Sequence, residues 1–322
     1  MTEPSATASH AAARTAAIAR GRAYALLGDL FRRGPQRLAH LRAVAALAAH
    51  LPAACDDDAE AEHYRVLGQE LPPYEGVFLH GRALLGGPRT SAVRTAMAEG
   101  GFTPDESDAE PDHVGSELAF LAHLCGAEAD AWRDGLETAA QRIQTLQRAF
   151  LRLHLLRWLP PLVVAIEGVE GGLYAAASRL ALGLAVDHLG EPPLDEDLAE
   201  VPDILSREKT GMRQIGDFLA VPLNTGTLLT PTAIRGIGRA AGVPAGFGKR
   251  GMLLENLLQS AIRNGRLSPL LAALDAHLVG QAAELESVPG GSPWARRVGE
   301  CRSMVGQLVA AAADDTGSPD GD

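Results

Sequence analysis

Apolar residues recur every three or four positions along most of the chain and strict alternation is scarce, so the pattern predicts helices rather than strands. The first helical periodicity covers 11–31 and the next 37–51, where Pro52 stops it. A short helix is expected over 59–70, before the Pro72-Pro73 break, and another over 91–99 between a Gly-rich loop and an acidic one. Longer helices follow over 111–125, 129–158 with an interruption, 160–169 and 173–189. The stretch 191–203 carries six acids, no bases and three prolines, the composition of a linker. Beyond it Thr230 is placed to cap a helix starting at Pro231, Gly242 to close it, and further helices are expected over 249–264, 268–285 and 294–312. The resulting division is a flexible N-terminal tail (1–19), a helical bundle (20–190), an acidic Pro-rich linker (191–204), a smaller helical subdomain (205–312) and a disordered tail (313–322).

The helix expected over 111–125 holds the least ordinary pattern. At about 100° per residue, Val114, Leu118, Leu121 and Cys125 form one apolar stripe, with His113, Glu117, Phe120 and Leu124 beside it. His113 and Glu117 therefore fall inside the buried sector, four residues apart, where an unpaired polar group is costly. Pro111 suits the first turn, and Asp112 sits where the helix dipole favours an anion. Two readings stay open: a hydrogen-bonded pair that locks helix packing, or a binding site. His154 repeats the theme, lying between Phe150 and Trp158 at successive spacings of four.

Composition narrows the function. Of 322 residues, 46% are hydrophobic and only 4% aromatic, enough for one sizeable core or two modest ones. The formal net charge of -11 argues against general nucleic-acid or anionic-membrane binding. Cys55, Cys125 and Cys301 form no C-x2-C pair, so neither a zinc knuckle nor a disulfide framework is expected. That fits a reducing cytoplasm. Residues 1–20 contain no apolar leader core, and no segment is read as a membrane span of roughly 20 apolar residues. Neither G-x-S-x-G nor H-E-x-x-H occurs, and His113, Glu117, His154 and His123 do not converge as metal ligands, so the chain reads as a binding protein without catalytic residues, metal or resident cofactor. Residues 231–263 have a helix-turn-helix outline, with five basic residues against one acid, which keeps a DNA-binding regulator as the alternative function.

The run Glu110-Pro111-Asp112-His113-Val114, with Glu117-Leu118 and Phe120-Leu121, resembles the E-x-P-D-H-[IV]-x-x-E-L-x-F-[ML] signature of the TorD/DmsD/NarJ family, lacking the spacer before Pro. Three further segments fit in order: Tyr24-Ala25-Leu26-Leu27 with Leu30-Phe31 and Pro35; Leu71 to Leu79; and Phe150, His154, Leu155 and Trp158. The resemblance implies an all-α, TorD-like helical bundle. It also implies a cytoplasmic chaperone that binds the apo catalytic subunit of a molybdopterin oxidoreductase, often through its twin-arginine signal peptide, and assists cofactor insertion. Such a chaperone needs an apolar groove and nearby carboxylates. Tyr74, Phe78, Phe120 and Trp158 are the apolar candidates, Glu75, Asp112 and Glu117 the acidic ones, with His113 and His154 among them.

Overall fold

The computed structural model describes residues 6–54, 57–83, 85–104, 110–169, 172–193, 195–200 and 211–316. Among them the protein is all-α, with one isolated antiparallel bridge between Tyr74 and His113. The chain divides into two compact units, neither continuous in sequence. The first holds residues 1–76, 84–159 and 171–194; the second holds 77–83, 160–170 and 195–322. Assignment of 77–83 and 160–170 to the second unit departs from the boundaries at 190 and 205.

In the first unit α1 (Ala6–Arg33) is followed by α2 (Leu38–Arg42), α3 (Ala45–Ala48) and α4 (Asp57–His63), which runs into a π-helical segment, Tyr64–Glu70. Next come α5 (Glu75–Leu79), α6 (Pro88–Glu99), α7 (Val114–Arg133), α8 (Glu137–Phe150), a second π-helical segment (Leu151–Leu155), α9 (Leu156–Glu167) and α10 (Gly172–Leu189). Helix α1 begins at Ala6, well inside the expected tail, because its alanine-rich sequence has the highest helix propensity. It lies along α7, and the two backbones meet at glycines. A Cβ on Gly28 would stand 2.9 Å from Gly115 O, and one on Gly115 would stand 2.8 Å from Gly28 O. Buried Tyr24, Leu27, Leu30 and Phe31 supply the apolar face of α1. Buried Glu128 ties three helices, accepting from Arg20 (2.9 Å), Gln144 (2.7 Å), Gln147 (3.1 Å) and Trp132 (3.3 Å).

Two of the longer helices also differ in their bounds from the sequence reading. Helix α7 starts at Val114 rather than Pro111, because the Asp112 carbonyl and the Val114 amide bond to the 73–75 backbone, and it continues to Arg133 before Gly135 turns the chain at φ +71°. The break expected between the helices over 129–158 and 160–169 is absent: Pro160 and Pro161 lie within α9. The uninterrupted helical run Glu137–Glu167 is thereby long and apolar enough, by length and composition, to cross a membrane, contrary to the expectation that no segment is; 78% of its apolar stretch is buried inside the protein.

The second unit contains α11 (Met212–Leu219), α12 (Pro222–Thr225), α13 (Pro231–Ala241), α14 (Arg250–Arg263), α15 (Leu267–Glu286) and α16 (Ser292–Thr316). Thr230 caps α13, its Oγ1 accepting from Ala233 N at 3.1 Å, and Gly242 closes it at φ +68°. Residues 195–200, from the expected linker, are held in place: Arg296 pairs with Asp195 (2.8 Å) and Asp197 (3.0 Å), while Arg297 donates to the carbonyls of Leu198 and Ala199. Residues 201–204 lie outside the described residues, as do Cys55 and 317–322 of the expected C-terminal tail. The helix-turn-helix outline does not hold. Eight residues, 242–249, separate α13 from α14 where that motif uses three or four, and the half-buried Arg250 donates to Ala220 O at 2.8 Å.

Candidate functional site

Two prolines start the construction of the site. Pro72 and Pro73 fix extended backbone and carry no N–H, which leaves the Pro73 carbonyl to accept from Val114 N at 2.9 Å. That amide is one of the unpaired donors at the start of α7. Across the same bridge Glu75 N donates to Asp112 O at 2.8 Å, so the segment before α5 and the segment before α7 hold one another.

The side chains complete this exchange. Asp112 serves α5 rather than its own helix, its Oδ2 accepting from Gly76 N at 3.0 Å. His113 is the N-cap of α7, with Nδ1 accepting from Gly115 N at 3.1 Å. That bond requires an unprotonated Nδ1, and burial, reinforced by His63 and Arg32, pushes the ring's pKa down to about 3. Tyr74 meets the ring edge-on, centroids 5.0 Å apart. The hydrogen-bonded pair that one of the two readings placed between His113 and Glu117 is not formed, because capping turns the imidazole toward Gly115.

Glu117 looks elsewhere. Its Oε2 accepts from Trp158 Nε1 at 3.3 Å, and burial, with Glu75 and Asp112 nearby, pushes its pKa well above the ordinary carboxylate value. Burial also raises that of Asp112, opposed by the Gly76 amide and the Thr90 hydroxyl. His154 comes from the π-helical segment Leu151–Leu155, a local irregularity often found at functional sites. Its Nδ1 lies 2.9 Å from Glu75 Oε2, and its ring stacks on Phe150 at 4.9 Å.

Three carboxylates, Glu75, Asp112 and Glu117, thus share one nest, all with 0% of their surface exposed. Each uses one oxygen and leaves the other without a hydrogen-bond partner: Glu75 Oε1, Asp112 Oδ1 and Glu117 Oε1. The Thr90 hydroxyl is close enough to affect Asp112 but makes no well-formed hydrogen bond with it. Arg89, in the first turn of α6, reaches Glu75 Oε1 at 3.6 Å. Such a cluster can receive a multidentate cation or take up protons. No group of three or more His, Cys, Asp or Glu among the described residues is arranged to hold a metal ion.

The fold therefore brings together Tyr74, Glu75, Asp112, His113, Glu117, His154 and Trp158. Phe120 is buried beside them in an aromatic cluster, 4.8 Å from Phe150 and 5.7 Å from Phe102 by ring centroids. Phe78 belongs to the second unit, where its ring meets Trp294 edge-on at 6.3 Å. Arg89 and Thr90 were not among the sequence candidates. The signal available for them was Gly86-Gly87-Pro88, a helix start that sets the next two residues on its first turn.

The nest lies within a recognisable segment, since the family model for the nitrate reductase delta subunit matches residues 36–164. That segment is similar to the nitrate reductase delta subunit family. The chain is 34% identical to a chaperone protein TorD of Vibrio cholerae over 114 residues, 34% of this chain and 49% of that protein. It is 38% identical to a selenate reductase assembly chaperone of Thauera selenatis over 96 residues (27% of this chain, 49% of the relative) and 45% identical to a chlorate reductase assembly chaperone of Ideonella dechloratans over 60 residues (19% and 30%). The chain thus spans about half the length, or less, of these curated relatives. No solved structure gives a significant match.

Proposed function

We propose that this protein is a TorD/NarJ-type cytoplasmic maturation chaperone for a molybdopterin oxidoreductase. It binds the apo catalytic subunit, in part through a twin-arginine leader, holds it until its cofactor is inserted, and performs no catalysis of its own. The observation that carries this reading is the family match over residues 36–164, which contains every member of the acidic nest. The names of the relatives, assembly chaperones for chlorate and selenate reductases among them, give it its substrate class.

The chemistry of the nest is consistent with that task. Carboxylates with unused oxygens are suited to a guanidinium, which offers five N–H donors in a planar fork. Because Glu75, Asp112 and Glu117 are buried, they receive a client only when the covering segments part, while half-exposed Tyr74 is available from the start. The net charge of -11 assists encounter with a basic leader over the roughly 10 Å that salt leaves unscreened.

The test is recovery of the tagged full chain from its native cells followed by mass spectrometry. A molybdenum-dependent reductase subunit should accompany it in its cofactor-free form. Recovery of the chain alone, or with that subunit equally in an Asp112→Asn, Glu117→Gln double variant, would remove the nest from client binding.

A further inference from the structure

We propose that Arg89 is a built-in occupant of the acidic nest, standing in for a guanidinium presented by a partner, and that α6 is the strap that carries it out of the way. The proposal rests on the reading of the nest as a client contact.

The nest holds more buried acceptor oxygens than the structure supplies donors for. Three fully buried acids leave Glu75 Oε1, Asp112 Oδ1 and Glu117 Oε1 without hydrogen bonds. Arg89 approaches only the first, at 3.6 Å, beyond hydrogen-bond distance, and its side chain remains 40% exposed. It lowers the local negative potential without satisfying the acceptors. A guanidinium seated deeper, with several donors converging on those oxygens, would satisfy more of them, so Arg89 is placed to be displaced rather than to stay.

The N-terminal end of the element bearing Arg89 is lightly held, whereas its C-terminal end is anchored, Gly100 packing on Phe120 and Leu124. Within α6 only Thr90, Val93 and Met97 are buried. Arg94 pairs with Glu110 at 3.5 Å through side chains that are both more than half exposed, a pairing of little strength. At the two ends Gly86 (φ +77°), Gly87 (φ +95°) and Gly101 (φ +71°) occupy backbone conformations that favour glycine, and a Cβ on any of them would meet nothing within 4 Å. These are positions where backbone angles can change without repacking neighbours.

Chemical rescue in the full chain tests the occupancy without any client. In Arg89→Ala, low-millimolar guanidinium chloride should raise Tm by about 2 °C over equimolar sodium chloride, with no such rise in the wild type or in Arg89→Ala, Glu75→Gln. Absence of rescue, or an equal rise in all three, overturns the proposal. Should Arg89→Ala not fold, Arg89→Gln keeps most of the side-chain bulk and is read in the same way. Displacement is tested with a fluorescein-labelled peptide carrying an Arg-Arg pair before an apolar run. Arg89→Gln should bind it about 3- to 5-fold more tightly than wild type, and a Lys-Lys version should gain less. Equal or weaker binding overturns displacement. Rescue without peptide binding would leave the occupancy standing and remove the client reading; peptide binding with neither rescue nor gain would do the reverse.

Discussion

Glu117 and His113 sit one helical turn apart and pull stability in opposite directions as pH changes. His113 has a lowered pKa in the fold, about 3 against an ordinary 6.5, so its contribution is present above 6.5 and is lost as pH falls toward 3. His188, lowered to about 4 by burial and Arg20, acts in the same sense. Glu117 and Asp112 have raised values, so their contribution is complete below the unfolded carboxylate pKa and is lost as pH rises through the folded one. Glu117→Gln should therefore be more stable than wild type at pH 8 and should flatten the alkaline limb of a urea-denaturation pH series. His113→Asn retains a capping acceptor and should lose less stability between pH 7.5 and 4.5 than wild type, whereas His113→Ala should cost about 1 kcal/mol at pH 7.5. That these residues were out of place on an apolar face was legible from spacing alone. Their partners were not: helical periodicity cannot reveal that His113 lies before the first turn, or that Glu117 meets Trp158, 41 residues later.

At the scale of elements, the crossing of α1 and α7 depends on two missing side chains. Gly115→Ala would press a methyl against Gly28 O and the Arg32 side chain, 2.8 and 2.5 Å away, and should destabilise by about 1–3 kcal/mol in thermal unfolding, as overpacked contacts do. The π-helical segment is a second dependence. Its Leu153 is 59% exposed, so deleting that residue removes little packing while rotating what precedes or follows by about 100°. A His154→Ala, Glu75→Gln double-mutant cycle should show about 1–3 kcal/mol of coupling in the parent and close to none in the deletion variant. Helices with strong stops, such as α13 between Thr230 and Gly242, were readable in the sequence because capping is local chemistry. The extension of α7 to Arg133 and of α9 through two prolines was not, since neighbouring contacts there outweigh the local signals.

At the scale of the whole molecule, the acidic stretch after residue 190 looked like the boundary between a helical bundle and a smaller helical subdomain. Phe78 and the 160–170 segment argue otherwise, because both belong to the second unit with Trp294 and its helices. Truncation after residue 204 should yield a protein that aggregates or melts at a clearly lower temperature, by differential scanning calorimetry, rather than a compact first unit of undiminished stability. Composition could not disclose this, since it marks where a chain is polar and says nothing about which distant segments share a core. The arrangement also bears on synthesis. At about 5–20 residues per second, Phe78 leaves the ribosome roughly 10–40 s before Trp294 does, so the nascent polypeptide must shelter that ring by other means until its lasting neighbour has been translated.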